Sequence, residues 1–573
     1  MPKSRTHLNP TPNKSPSNNH QYLVGLVLRF GVMMIAIIAI IVGLILSWWW
    51  LVVIAAMAVA LGIYDVLQSK HAILKNYPIA GHIRYLFEDY RPEIRQYLLE
   101  DDKEQVPFSR QQRALVYQRA KNVSDTNAFG TLDNLYVKGK EWFLQSATSH
   151  PVKDTDFRIT VGNEHCQQPY SLSVFNISAM SFGSLSANAI MALNHGAKIG
   201  GFTHDTGEGA ISPYHRKFGG DLIWELGTGY FGCRNEKGEF DAHLFAEHAN
   251  EPQVKMIEIK LSQGAKPGKG GVLPAEKITP EIADTRRIPM GEDCVSPASH
   301  SAFTTPRELV AFWQQLRELS GGKPVGFKLC IGQPWQFMAI VKAMLEADNY
   351  PDFIVVDGAE GGTGAAPVEF MDSVGMPLID GFLLVHNTLV GAGIREKIKV
   401  GVSGKIVSGF DIARMLSLGA DWCNSARGFM FAVGCIQSRS CHTNTCPTGV
   451  ATQDPYRQQA LDVPSKADRV ASFHKNTLKS LASIVGATGL QHPADLKPYH
   501  IARRMQDGQI KLLSKYFYFM DAGALVKGNA RADIYNQMWV MADANSFDAN
   551  NDALIAYNKH SKDKGKNTTA VSY

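Results

Sequence analysis

Apolar positions along the chain form two patterns, one long and continuous and the other short and repeated. Between Tyr22 and Tyr64 the single charged residue is Arg29, and this run is far longer than the roughly 20 residues that one membrane-spanning helix needs. Two spans, at about residues 22–46 and 50–67, fit this length. The run therefore predicts a transmembrane helical hairpin.

The residues around the hairpin predict its orientation. Ser47 and the three tryptophans Trp48, Trp49 and Trp50 lie at the turn, where indole rings favour the lipid headgroup layer. Basic residues on both outer flanks put both ends in the cytoplasm by the positive-inside tendency. These residues are Lys3, Arg5 and Lys14 before the hairpin and Lys70, Lys75 and Arg84 after it. The alternatives are one long tilted helix or a cleaved signal peptide, but the run is too long and has no small-residue cleavage site.

Short apolar runs alternate with helical stretches beyond residue 150, a pattern typical of βα units around a parallel sheet. Eight such strands are the number that closes a (β/α)8 TIM barrel, and chemistry is then expected at their carboxyl ends. An open, doubly wound sheet is the alternative, although no GxGxxG follows an early strand. The predicted strands are residues 171–178, 200–207, 222–227, 254–261, 325–330, 353–358, 398–404 and 420–426.

The remaining segments are predicted from composition. Residues 1–20 are rich in Asn, Pro, Ser, Lys and Thr, which predicts a disordered tail. The charged, helix-patterned segment 69–150 predicts an adaptor, in which Ser109 caps a helix. The hairpin occupies residues 21–68, the barrel residues 151–455, a helical extension residues 456–542 and a polar, disordered tail residues 543–573.

Charge and cysteine content exclude two classes of protein. A net charge of +5 and a pI near 8.6, with no dense Lys/Arg stripe after the first hundred residues, argue against a nucleic-acid partner. Eight cysteines are too few and too unevenly spread for a disulfide framework, which favours a reducing compartment.

The strongest local signal is a loop in which Cys435, Cys441 and Cys446 have C-x5-C-x4-C spacing and end in Cys-Pro. Three thiolates in a tight loop suit a soft metal centre, and proline after a ligand is found in ferredoxin-type cluster loops. Three ligands suggest a cluster that lacks one iron, a 3Fe-4S cluster. Zinc normally takes paired C-x2-C ligands plus a fourth, so spacing leaves zinc, or no metal, as open alternatives.

Two glycine turns follow the seventh and eighth predicted strands, GVSGKIVSG at residues 401–409 and NSARGFMFAVG at residues 424–434. Loops in these positions of a barrel commonly bind phosphate through backbone N–H groups. A single glycine turn is more often only a turn. The phosphate candidates are Ser403, Gly404, Lys405, Arg427 and Gly428.

Three more glycine-rich loops follow other strands, at residues 204–210, 260–271 and 357–367. Glycine lets such loops line a ligand without side-chain crowding. Lysines at strand ends suit a reduced flavin or a dicarboxylate, and an acidic residue suits proton transfer, although surface ion pairs are the alternative for each. The candidate catalytic residues are Glu208, Lys260, Lys266 and Lys328.

Six motifs resemble those of the FMN-binding synthase domain of glutamate synthase. They are AMSFGSLS (179–186), TGEGA (206–210), GAKPGKGGVLP (264–274), SPASH (296–300), GGTGAAP (361–367) and GCIQSRSCHTNTCPTGVATQ (434–453). The resemblance runs from about Ser171 to Gln453. The hairpin and adaptor are similar to a shorter bacterial branch of FMN-binding glutamate synthase-like proteins.

The resemblance implies an oxidoreductase that makes glutamate from 2-oxoglutarate and ammonia, with FMN and a 3Fe-4S cluster held by the three cysteines. It places the barrel on the cytoplasmic side of a bacterial inner membrane. The implied cofactor-binding residues are Ala179, Met180, Ser181, Lys328, Asp357, Gly361, Gly362, Thr363, Ser403, Gly404, Lys405, Ala426, Arg427 and Gly428.

The chain also departs from the large enzymes of that family. We find no glutaminase domain with an amino-terminal cysteine, no glycine-repeat β-helix and no Rossmann fingerprint. Electrons are therefore expected from an external donor, such as a ferredoxin or an NAD(P)H-dependent reductase subunit, and ammonia from solution or a partner. The alternatives are another 2-oxo or amino acid substrate, a quinone-coupled reaction at the membrane, and a non-catalytic redox scaffold.

Overall fold

The computed structural model describes residues 18–68, 71–101, 103–104 and 107–563, so most of the predicted N-terminal tail lies outside the described residues. Contacts divide the chain into two compact units, residues 1–101 and 102–573. This boundary cuts the predicted adaptor, residues 69–150, in two. Its second part belongs with the barrel because the helix Arg110–Ala120 packs against the helices Arg427–Val433 and Val463–Ala487.

The first unit contains two long apolar helices, Asn18–Ile45 and Trp49–Leu67, near the predicted spans. By length and composition alone, Trp49–Leu67 is suited to cross a membrane, and Arg29–Ile45 is a shorter apolar helical stretch. Asp65 is buried and accepts hydrogen bonds from Ile79 N at 2.9 Å and from the His82 ring at 2.9 Å. The unit continues with the helices Ala72–Asn76 and Ala80–Ile94 and the π-helical turn Arg95–Leu99.

The second unit is built on a closed barrel of eight parallel strands. A barrel strand forms within each of the eight predicted stretches. The stretch predicted at residues 171–178 is divided between a separate strand, Tyr170–Ser173, and the barrel strand Phe175–Ile177, and the stretch predicted at residues 200–207 is reduced to His204–Asp205. Closure is made by β8 and β1, where Cys423, Asn424 and Ser425 pair with Phe175, Asn176 and Ile177. The strands are β1 Phe175–Ile177, β2 His204–Asp205, β3 Leu222–Leu226, β4 Val254–Lys260, β5 Val325–Leu329, β6 Phe353–Asp357, β7 Lys399–Ser403 and β8 Trp422–Ser425.

The amino-terminal mouth of the barrel is closed by the hairpin of strands Arg158–Val161 and Tyr170–Ser173. Val161 and Leu172 of this hairpin form a buried cluster with apolar side chains from the barrel strands, among them Met256, Phe353 and Trp422. Because this end is filled, the carboxyl ends of the strands are left to form a site.

Helices connect and surround the strands, and several of them begin at a side-chain cap. Ser109 caps its helix with a capping box to Gln112, as expected. The α-helices of this unit are Arg110–Ala120, Ala187–Gly200, Pro213–Arg216, Ala242–Ala249, Pro280–Arg286, Pro306–Leu319, Pro334–Ala347, Val368–Ser373, Leu378–Gly391, Gly409–Leu418, Arg427–Val433, Pro455–Gln458, Val463–Ala487, Leu513–Tyr516, Asp533–Met541 and Asn551–Asp563. Short 3-10 turns are Ala275–Lys277, Arg395–Lys397, Pro493–Asp495 and Pro498–His500.

The C-terminal part differs from its predictions in two respects. A small antiparallel sheet joins Glu141–Phe143 to Ile501–Arg504 and Ile510–Leu512, inside the extension predicted as helical. The helix Asn551–Asp563 lies in the stretch predicted as disordered, and it packs against the helix Asp533–Met541. Val272–Leu273 and Cys294–Val295 form a further two-stranded ladder beside the barrel mouth.

Candidate active site

The carboxyl ends of the strands open into a cavity of about 1030 Å³, at the upper end of the range for small-molecule sites. A smaller cavity of about 60 Å³ lies at the ends of β6, β7 and β8. Both are lined by Ala179, Gly361, Gly362, Lys405 and Arg427. The two cavities therefore form one site.

The small cavity contains polar groups from three strand ends. The Ser403 hydroxyl donates a hydrogen bond to the Asp357 carboxylate, which also accepts the Gly264 N–H at 2.7 Å. Gly404 and Lys405 continue the wall, and Lys405 has a left-handed backbone with φ of 53°. A lysine in a tight turn beside a polar cavity is typical of phosphate sites.

Arg427 supplies a second cation to this wall. Its guanidinium donates to Glu360 O at 2.8 Å and lies over the Phe108 ring, 4.7 Å from the centroid. Burial lowers the pKa of Arg427 to about 10, so it stays charged at neutral pH. A Cβ at position 362 would lie 2.7 Å from Arg427 Nε, which explains the need for Gly362.

Glu208 and Lys260 form an ion pair in the main cavity. Lys260 Nζ, at the end of β4, lies 3.1 Å from Glu208 Oε1, and the two side chains are 8% and 14% exposed. The Ser296 hydroxyl donates to Glu208 Oε2 at 3.4 Å. A Cβ at position 271 would lie 1.9 Å from Glu208 Oε1, so Gly271 lets its loop approach the carboxylate closely.

Two more buried cations line the same cavity. Lys266 donates from Nζ to Ala365 O at 2.9 Å, and Arg286 donates to Phe182 O at 2.9 Å. Burial, opposed by Glu208 and reinforced by neighbouring lysines, lowers the pKa of Lys266 to about 8. The cavity is therefore electropositive.

These cations determine the protonation state of Glu208. Burial alone would raise the pKa of Glu208, but Lys260, Arg286 and Lys266 outweigh burial and lower it. Glu208 is therefore an ionised acceptor at neutral pH and is not poised to donate a proton.

Lys328, from β5, lies in a buried acidic cluster. Its ammonium contacts the Glu225 carboxylate and lies 3.2 Å from Glu258 Oε1, and Asp205 completes the group. Burial alone would lower the pKa of Lys328, but the three carboxylates outweigh it and raise it. Burial also raises the pKa of Asp205 to about 7 and that of Glu258 well above its usual range.

The three predicted ligands Cys435, Cys441 and Cys446 all line the main cavity. The Gln437 N–H points to Cys435 Sγ at 3.4 Å, the type of contact that stabilises a thiolate. Three non-glycine residues in the loop have a left-handed backbone: Gln437, Arg439 and Asn444. Such conformations persist where a loop is held for function.

The spacing of the three thiols bears on the kind of metal. Among the described residues, Asp205, Glu225 and Glu258 form the one group of three potential ligand atoms within 4.8 Å of one another. The cysteine trio is not such a group. A single zinc ion, bound about 2.3 Å from each sulfur, needs sulfurs within about 4 Å of one another.

The structure brings nearly all predicted site residues to this one site. Lys328, Asp357, Ser403 and Gly404 line the small cavity. The exception is Gly428, which is buried in the first turn of its helix, where a Cβ would lie 2.5 Å from Ser425 Oγ. The main cavity is lined by Ala179, Met180, Ser181, Glu208, Lys260, Lys266, Gly361, Gly362, Thr363, Lys405, Ala426, Arg427, Cys435, Cys441 and Cys446.

Arg286 and Glu225 are among the residues of the site that were missed from the sequence. Arg286 ends a short helix in an ordinary charged stretch, and Glu225 lies inside an apolar strand, where it reads as an outward-facing position. The available signal for Glu225 was a single carboxylate inside the otherwise apolar strand LIWEL, because a charged residue in a buried strand needs a partner.

Comparison with known proteins assigns the family. The model of the conserved region in glutamate synthase matches residues 115–491, more than half of the chain. The chain belongs to the glutamate synthase family. The chain is also 36% identical over 525 residues to the glutamate synthase large subunit-like protein YerD of Bacillus subtilis, covering 83% of this chain and 97% of that protein.

Other members of the glutamate synthase family match a smaller part of the chain. The archaeal-type glutamate synthase (NADPH) of Thermotoga neapolitana is 34% identical, covering 59% of this chain and 64% of that protein. The archaeal glutamate synthase (NADPH) of Methanocaldococcus jannaschii is 35% identical, covering 56% and 60%. The chain thus spans about three fifths of these relatives. A solved flavocytochrome b2 variant with pyruvate bound has a TM-score of 0.38 and 14% identity, covering 77% of this chain and 89% of that chain, too distant to inform function.

Proposed function

We propose that this chain reduces the imine of 2-oxoglutarate and ammonia to glutamate, using FMN and a 3Fe-4S cluster that receives electrons from an external donor. One observation carries the proposal. A single cavity is lined by three groups: the phosphate candidates Lys405 and Arg427, Glu208 with the cations Lys260, Lys266 and Arg286, and the three thiols of Cys435, Cys441 and Cys446. Membership of the glutamate synthase family supports this chemistry.

The residues present fit FMN. Lys405 and Arg427 would hold the phosphate, because both are cationic and line the small cavity. Ala179, Gly361 and Gly362 line both cavities and would contact the flavin without crowding it. When bound, FMN supplies hydride transfer and the cluster supplies single-electron transfer.

The thiol loop fits a cluster better than a single zinc ion. The three sulfurs do not all lie within 4.8 Å of one another, a spacing that suits a cluster of several irons, which spreads its ligands more widely than one ion does. Cys435, Cys441 and Cys446 would hold it at the wall of the main cavity.

The cations of the main cavity suit a dicarboxylate. Around Glu208, the three cations Lys260, Lys266 and Arg286 outnumber this carboxylate, so this part of the cavity has an excess of positive charge. Binding a doubly negative 2-oxo acid would neutralise this excess. A monocarboxylate would leave it partly unbalanced, which favours 2-oxoglutarate over shorter monoacids.

Glu208 has a distinct role in this scheme. Since its pKa is lowered, it is ionised and can accept a hydrogen bond from ammonia or from the imine nitrogen. Lys260 and Ser296 hold its two oxygens and thereby fix its direction. Glu208 would therefore orient the nitrogen at the reacting carbon.

The test is an anaerobic assay of detergent-solubilised chain with 2-oxoglutarate, ammonium and a strong chemical reductant, read out as glutamate. Parallel arms replace 2-oxoglutarate with pyruvate or oxaloacetate, or the reductant with a reduced quinone. We expect glutamate formation that depends on ammonium. Flavin that is reduced but never reoxidised by 2-oxoglutarate with ammonium would overturn the proposal.

We also propose that the two apolar helices anchor the enzyme to the bacterial inner membrane, with the barrel in the cytoplasm. Support comes from the length and exposure of Trp49–Leu67 and from the basic flanks. The donor would then be a cytoplasmic ferredoxin or an NAD(P)H-dependent reductase subunit. Fusions of a folding reporter to the C-terminus test the topology. Carbonate-resistant membrane association with a cytoplasmic reporter is expected, and extraction by carbonate would refute it.

A further inference from the structure

Lys277 is a buried cation that the catalytic scheme does not use. It ends the 3-10 turn Ala275–Lys277 and is 2% exposed. Its ammonium donates to three backbone carbonyls: Ser184 O at 2.9 Å, Cys441 O at 3.3 Å and Ala451 O at 3.3 Å. A lysine buried this completely needs a reason, because desolvating an ammonium is costly.

The three carbonyls belong to two segments that line the main cavity. Ser184 lies in the segment 179–186, whose Ala179 and Ser181 are candidate flavin contacts. Cys441 lies in the thiol loop, and Ala451 follows that loop. Lys277 therefore joins residues 179–186, the flavin-side segment, to residues 435–451, the metal-side segment.

Three uncharged hydrogen bonds strengthen the same junction. Gln453 Nε2 donates to Gly183 O at 3.0 Å and to Leu185 O at 2.9 Å. Ser186 N donates to Val450 O at 3.0 Å. Because these contacts also hold the two segments together, the loss of Lys277 alone need not separate them, and its charge can be tested apart from its packing.

The geometry indicates that Lys277 carries its charge. An ammonium has three N–H donors and no acceptor, and here each donor has a carbonyl. A neutral amine would direct its lone pair at one of these oxygens. The ammonium thus contacts three residues that line the cavity, and it lies 3.3 Å from the carbonyl oxygen of Cys441.

We propose that Lys277 is a positioning and electrostatic residue for the cluster: it holds the thiol loop against the flavin-side segment and raises the reduction potential of the cluster. This inference rests on the proposed function, which supplies the cluster. Adding an electron makes the cluster more negative, so a desolvated cation beside its ligands favours the reduced form.

The test compares the full-length protein with Lys277→Met, Lys277→Gln and Lys277→Arg, in detergent, by potentiometric titration followed by electron paramagnetic resonance. Gln keeps hydrogen bonding without charge, whereas Arg keeps the charge. Lys323→Met is the matched control, since Lys323 is a buried lysine that donates to the carbonyls of Ala249 and Glu251 and lines neither cavity.

We expect Met and Gln each to shift the reduction equilibrium of the cluster about tenfold toward the oxidised form, or 59 mV for a one-electron couple. Arg and the Lys323 variant should match the wild type. If the Lys277→Met protein does not fold, the comparison of Lys277→Gln with Lys277→Arg still tests whether the charge sets the potential. If the Lys277→Met and Lys277→Gln proteins have full iron content and unchanged reduction potentials, the role of Lys277 is refuted and the proposed cluster is not. Wild-type protein that takes up no iron would overturn both this inference and the proposed cluster.

Discussion

Replacing Lys328 by methionine removes the cation from a cluster of three buried carboxylates. Lys328 is 3% exposed, and Asp205, Glu225 and Glu258 are each no more than 2% exposed. Methionine fills a similar volume, so the principal loss is the charge. The carboxylates left behind must either remain ionised without a partner or take up protons.

The expected loss of unfolding free energy is about 3–5 kcal/mol, the usual cost of removing one partner from a buried ion pair. It should also depend on pH. When the pKa of a carboxyl is higher in the folded chain than its value of about 4 in the unfolded chain, the folded chain keeps the proton at every pH between these two pKa values. The folded state then binds more protons, and stability falls as pH rises through that range. For Asp205, whose folded pKa is about 7 in the wild type, the range is about pH 4 to 7, and it widens upward without Lys328.

Urea unfolding of the detergent-solubilised protein at pH 5 and at pH 8, followed by tryptophan fluorescence, measures both effects. Lys323→Met is the control, because its partners are carbonyls and its cost should be about 1–3 kcal/mol at either pH. The Lys328 variant should lose more stability at pH 8 than at pH 5, and adding Glu258→Gln should restore part of it. Equal, pH-independent losses in the two lysine variants would refute the reasoning.

Four further outcomes follow from the site. Glu208→Gln should lower kcat/KM for glutamate formation about ten- to hundredfold, as expected for loss of a charge-assisted hydrogen bond, while iron and flavin contents stay at wild-type levels; a rate within threefold would exclude its role. Arg286→Gln should raise KM for 2-oxoglutarate about ten- to hundredfold, as expected for loss of a charge-assisted hydrogen bond, and an effect on kcat alone would contradict this. Because the pKa of Lys266 is about 8, KM for the dicarboxylate should rise above pH 8 as its charge is lost, and Lys266→Met should flatten that profile; an unchanged profile would refute the assignment. Cys446→Ser should lose iron, measured by elemental analysis, whereas Cys166→Ser, a half-buried thiol outside both cavities, should keep it.

Local patterns were sufficient to predict the barrel and most of its site. All barrel strands except the short second one contain β-branched or aromatic residues, so their positions are evident from a few neighbouring residues. The helix cap at Ser109 likewise depends on residues three apart. The loops after Ser403 and around Cys435 were predicted for the same reason: glycine and cysteine spacing is local.

Features that depend on distant pairing were not predictable. The strand Glu141–Phe143 pairs with residues more than three hundred positions away, and Glu141 joins Arg414 and Arg503 by ion pairs of 2.5 Å each. Neither segment alone indicates this sheet. Lys277 and Arg286 were missed because a buried cation differs from a surface one only by its surroundings, which the sequence does not display.

If one cavity holds both a flavin and an iron–sulfur cluster, both cofactors must be present in the purified protein. Protein produced with adequate iron and riboflavin, and purified anaerobically, would be assayed for FMN and metals and examined by electron paramagnetic resonance. One FMN and about three irons per chain are expected, with the iron signal lost in Cys446→Ser. Protein that contains zinc in place of iron, or that is colourless, would contradict this expectation.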